Sequence, residues 1–141
     1  MAKGVSTVIQ FILFFFIGLG LFITIGIVFK NYSDIFREDV ASGSRMLLNS
    51  YMSSLAIVSF DTCKQCDYVQ INIKIANKSA DYYSQINFSK LGLNVTSQPG
   101  GKSFLTSIHN LNSTLNLTGI SFSIKTVILT LTKPQNKLEV K

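Results

Sequence analysis

The sequence predicts a mostly β protein: one N-terminal transmembrane α-helix followed by an immunoglobulin-like antiparallel β-sandwich. Two observations carry that expectation. Val5 to Phe29 is 25 consecutive residues without a charge, bracketed by Lys3 and Lys30. From Leu55 onward the apolar residues change to a period of two, and turn residues punctuate the runs.

The apolar stretch comes first. As a helix rising ~1.5 Å per residue it reaches roughly 37 Å, enough to cross a hydrocarbon core of about 30 Å with some tilt. Only Ser6, Thr7, Gln10 and Thr24 are polar within it. A cleaved secretory signal is shorter and ends in a small-residue site, and Phe29-Lys30-Asn31-Tyr32 has none. Six phenylalanines in the span, with Tyr32 at its far end, suit a lipid-facing helix with an interfacial anchor. Gly20 and Thr24 form one small-xxx-small pair, a weak pointer to helix pairing.

The expected organisation is therefore a short basic leader over residues 1–4, the span over 5–29, a stalk or connector over 30–54, and an exterior sandwich over 55–141. Ile35, Phe36 and Val40 share a helical face, so the membrane helix is expected to run past the headgroups as far as an interruption at Ser42-Gly43-Ser44. Lys3 balances Lys30 and Arg37, so charge alone leaves the orientation open. Sequons at Asn31, Asn77, Asn87, Asn94, Asn112 and Asn116 favour a C-terminal domain outside the cytoplasm, although composition alone explains two or three of them.

In the domain, Val69, Ile71, Ile73 and Ile75 alternate with Gln70, Asn72 and Lys74. Ile86 and Phe88 follow, then Leu91, Leu93 and Val95, Leu115 and Leu117, Ile120, Phe122 and Ile124, and finally Val127, Leu129 and Leu131. Turns are expected at Asn77 to Asp81, Pro99-Gly100-Gly101, Thr118-Gly119 and Lys133-Pro134-Gln135-Asn136. Seven or so short strands with no helix between them predict the sandwich. Its edge strands are natural places for a partner to add on. Ile86, between Gln85 and Asn87, is the candidate association residue on such an edge; as an ordinary strand residue it would face the core.

The net charge of +6 reflects few acids more than many bases. From Val40 to Leu138 the carboxylates are Asp61, Asp67 and Asp81. The lysines are scattered singly, unlike a nucleic-acid surface, which gathers them with aromatic residues between. The charge balance fits an anionic surface or an acidic exterior, where carboxylates are protonated.

Cys63-Lys64-Gln65-Cys66 is the one motif with catalytic precedent. A thioredoxin-like pair needs a βαβ setting at a helix N-terminus, whereas this one sits between two strand patterns. A zinc site needs further ligands, and His109 is the only histidine. Free thiols remain open, but a disulfide across a hairpin tip in an oxidising compartment fits best. No carboxylate or nucleophile pattern accompanies His109, and no phosphate loop is present. The sequence does not describe an enzyme, and no cofactor or metal is implied.

The leader Met1-Ala2-Lys3-Gly4, running into Val5-Ser6-Thr7-Val8-Ile9, resembles the class III signal peptide of archaeal pilins and archaellins. That likeness implies cleavage between Gly4 and Val5; the alternative is an uncut anchor. Ile9 stands where many bacterial type IV pilins carry Glu. Leader, helix and small sandwich together, with a strand ending Ile73-Lys74-Ile75-Ala76-Asn77-Lys78-Ser79, resemble the F and G accessory subunits of the archaellum, the archaeal flagellum. The likeness implies a stator role in motility: a single-pass glycoprotein in cytoplasmic membrane lipid, its C-terminal domain between membrane and S-layer. Its partners would be the S-layer protein, the G subunit if this is F, and a second copy in a homodimer. The alternative is a pilin-like or archaellin-like filament subunit. A third class, an extracellular thiol oxidoreductase, would require Cys63 and Cys66 to be reactive.

Overall fold

The computed structural model of the chain describes residues 2–63, 65–108 and 114–141, with the backbone alone for residues 2–6. Two compact units, Met1–Arg37 and Glu38–Lys141, divide it. One helix, α1, spans Ala2–Thr62.

In the first unit every described side chain from Thr7 to Tyr32 is exposed. That leaves Phe11, Phe14, Phe16, Phe22 and Phe29 bare, a surface that water does not tolerate at this extent. The polar groups inside it are managed locally. The Thr24 hydroxyl donates 2.8 Å to the Gly20 carbonyl, so the pair read as a helix-pairing signal satisfies itself within one turn. Among the described residues this is one helix long and apolar enough to cross a membrane.

The second unit opens with the rest of α1. The helix passes without a break through Ser42-Gly43-Ser44 and through Leu55 to Phe60, where an interruption and then a strand were expected. Tertiary packing overrides local preference here. Ala41, Arg45, Asn49, Met52, Ala56, Ser59 and Cys63 recur at three- and four-residue intervals and are all buried. Gly43 lies outside that stripe and is exposed, so its weak helix propensity costs only about 1 kcal/mol.

Eight strands follow: β1 (Tyr68–Ile73), β2 (Tyr83–Ser89), β3 (Gly92–Gln98), β4 (Ser103–Thr106), β5 (Asn116–Thr118), β6 (Ile120–Phe122), β7 (Val127–Thr132) and β8 (Lys137–Val140). They form two four-stranded sheets, ordered β1-β7-β8-β5 and β4-β3-β2-β6. All pairs are antiparallel except β5 with β8. The period-two reading is borne out for most of its residues, but Leu91, Ile120, Phe122 and Ile124 of the same pattern are exposed. Ile73, Ile86, Phe88, Leu93, Val95, Leu117, Val127, Leu129 and Leu131 are all buried, and Met52 and Ala56 of α1, with Cys63 just after it, join the same core. Strands begin at Tyr68, after the helix has closed.

Glycine sets two of the corners. At Gly92, after the two-residue β2–β3 turn, φ is 126° and a Cβ would lie 2.2 Å from the Thr106 carbonyl oxygen. Gly119 lets the chain leave one sheet as β5 and enter the other as β6, with φ at 109° and the Val140 carbonyl oxygen 2.1 Å from where a Cβ would stand. The expected turns at Pro99-Gly100-Gly101 and at Lys133 to Asn136 join β3 to β4 and β7 to β8.

Candidate functional site

The seam between α1 and the sandwich is built from polar residues. Arg45, only 5% exposed, donates to the Ser97 hydroxyl at 2.5 Å and to Glu38 Oε1 at 2.8 Å. Lys102 Nζ approaches the same Glu38 oxygen at 3.2 Å. The hydrogen bond from Arg45 holds the Glu38 carboxyl below its usual range; partial burial opposes this, and Lys102 adds to the lowering. One turn further on, Asn49 Nδ2 donates to the Leu93 carbonyl at 3.2 Å and the Phe104 carbonyl at 2.9 Å. These residues hold the helix against β3 and β4. Nothing in the hydrophobic pattern pointed to them, because polar residues on a buried stripe make an amphipathic helix read as irregular.

Cys63 and Cys66 form a disulfide. It sits at the corner where α1 ends and β1 begins, not across a hairpin tip. The Cys63 sulfur is buried in the core. Among the described residues no group of three or more His, Cys, Asp and Glu side chains gathers to hold a metal ion. His109 lies outside the described residues.

Ile86 is not on an edge. It lies on β2, between β3 and β6, and is fully buried. Its neighbours Gln85 and Asn87 are the ones that look outward, since alternate residues of a strand face opposite ways. Apolar residues do reach solvent at both edges of this sheet: Ile120 and Phe122 of β6, with Ile124 just beyond, and Phe104 and Leu105 of β4. Tyr83 packs edge-on against the Phe122 ring, with centroids 6.3 Å apart. The sheet they belong to contains no charged residue in any of its four strands. On the part of α1 within this unit a second patch is bare, formed by Val40, Met46, Leu47, Tyr51, Ile57 and Val58.

The sequons fall in different settings. Asn31 is exposed within α1, Asn77 is exposed in the loop after β1, and Asn116 is exposed on β5. Asn87 and Asn94 are half-buried and directly paired across β2 and β3. Asn112 lies outside the described residues. Gly4 and Val5, the peptidase positions, fall in the first turns of α1.

No family model, curated protein or solved structure matches the chain.

Proposed function

We propose that the protein is an envelope-anchored assembly subunit of the archaellum stator, related in role to the F or G accessory proteins. It works by protein contact, without a reaction. Its first unit lies in the cytoplasmic membrane, and its sandwich stands outside, against the S-layer protein and a partner stator subunit. The observation that carries this reading is the exposure of every described side chain from Thr7 to Phe29, a stretch of helix without a charge, which needs lipid or other apolar cover. The uncharged sheet of the exterior unit supports the contact role, because charges are depleted where protein surfaces meet.

The immunoglobulin-like assignment belongs to the same proposal. Its support is two four-stranded sheets that share one core, and β5, which pairs in parallel with the C-terminal strand β8 before the chain crosses to the other sheet as β6. The chain threads the sheets in its own way, with β2, β3 and β4 joined as successive hairpins in one sheet.

One observation favours the second reading, a filament subunit. The apolar helix continues unbroken into the domain and carries a bare apolar patch there, as a helix packed in a filament core would.

Cell fractionation separates the two. A stator subunit stays in the membrane fraction after shearing and, solubilised in detergent as the full chain, captures the S-layer protein. A filament subunit is recovered in the sheared fibres. Recovery in the cytosol overturns both.

A further inference from the structure

We propose that Asn77 is the glycan acceptor among the five described sequons, so that the exterior unit carries its sugar at the loop after β1 and keeps its uncharged sheet bare. This rests on the exterior placement proposed above.

Transfer of an oligosaccharide needs the asparagine amide presented to an enzyme, with the hydroxyl two residues on free to turn towards it. Regular backbone prevents that turn. Asn31 and Ser33 are locked in the hydrogen-bond ladder of α1. Asn87 lies mid-strand between β3 and β6. Asn94 is its direct partner across the β2–β3 ladder, and its Oδ1 is buried with no hydrogen-bond partner. Asn116 is exposed, but its backbone N–H donates 2.7 Å to the Asn136 carbonyl, and the hydroxyl of its sequon, Thr118 Oγ1, is buried without a partner. In four of the five, therefore, the amide or the hydroxyl is held in regular structure.

Asn77 itself differs, although Ser79 of its sequon is half-buried and pairs with Tyr82. It lies outside helix and strand, exposed, with Lys78 exposed beside it. Its carbonyl accepts the Ser123 hydroxyl at 2.9 Å, which steadies the loop without engaging the side-chain amide. Ser79 follows in a tight turn closed by two backbone hydrogen bonds with Tyr82, at 2.8 and 3.0 Å. The sequon is thus held at the surface next to a turn, the setting in which asparagine and serine side chains fold back on their own backbone.

The covalent step joins the Asn77 amide nitrogen to the anomeric carbon of a lipid-phosphate-linked oligosaccharide. The bond from that carbon to the phosphate oxygen breaks, the lipid phosphate leaves with the electron pair, and the amide gives up one proton.

Glycopeptide mass mapping of the full chain purified from native envelopes tests the assignment, with Asn77→Gln, Ser79→Ala and Ser79→Thr as variants. The expected result is a glycan mass on the Asn77 peptide, lost in Asn77→Gln and Ser79→Ala and retained in Ser79→Thr. A glycan on Asn31, Asn87, Asn94 or Asn116 with Asn77 bare overturns it. Oxidised cysteines and protease accessibility in intact envelopes, with Asn77 bare, overturn the acceptor assignment while leaving the exterior placement standing. Reduced cysteines in a protease-protected domain overturn the placement and the assignment together.

Discussion

The side-chain amide of Asn49, on α1, donates 2.9 Å to the backbone carbonyl of Phe104, on β4, and Asn49 is fully buried. The same nitrogen also serves the Leu93 carbonyl of β3, so one polar residue ties the helix to two neighbouring strands.

Asn49→Leu keeps the branched heavy-atom skeleton and removes the donors, leaving two carbonyls short of a partner. The expected cost is about 2–3 kcal/mol of stability. Urea unfolding of the full chain in detergent, followed by circular dichroism, measures it. A loss below about 0.5 kcal/mol would mean that the amide contributes shape alone.

Acid should weaken the same seam. Glu38 titrates below its usual value because Arg45, and then Lys102, bond to its charged form. A carboxyl depressed in the folded state adds stability that is present above the unfolded value of about 4.3 and is lost as pH falls through the folded value. Glu139, lowered by its hydrogen bonds to Lys137 and then Lys141, acts with the same sign. Thermal melts should be level from neutral pH to about pH 5 and fall below it. Glu38→Gln should flatten that fall; an unchanged acid limb would remove Glu38 from the account.

Two turn positions make opposite predictions. Ala80 holds φ at 50°, a left-handed conformation that costs a side chain about 1 kcal/mol, so Ala80→Gly should raise the melting temperature by a few degrees. Gly119→Ala should do the reverse, because the new Cβ would meet the Val140 carbonyl oxygen at 2.1 Å where β5 becomes β6. A loss of about 3 kcal/mol is expected. Parallel melts of both variants against the parent chain check the signs.

Ile86→Lys tests the core directly. Burying an unpaired ammonium where Ile86 now stands should cost about 4 kcal/mol or more and unfold the sandwich. Loss of the β signal in circular dichroism is the expected readout. A folded variant that merely failed to associate would return Ile86 to the surface.

What the chain determined by itself is whatever depends on neighbours along it. Val5 to Phe29 announces a long apolar helix because no charge interrupts it. Val69 to Ile73 and Val127 to Leu131 announce strands because alternate residues of an extended chain face opposite sides. The glycines at Pro99-Gly100-Gly101 and Gly119 mark the places where the backbone takes conformations that side chains resist. Tertiary structure decided the rest. Leu55 to Val58 has the composition of a strand, yet it is helical because Met52, Ala56 and Ser59 find the core on one face. Arg45 and Asn49 are buried because Ser97, Leu93 and Phe104, some 44 to 55 residues away, supply their hydrogen bonds. Likewise, whether Ile86 faced a partner or the core depended on strand order, which is set by which strands pair and is not written in the pattern of any one of them.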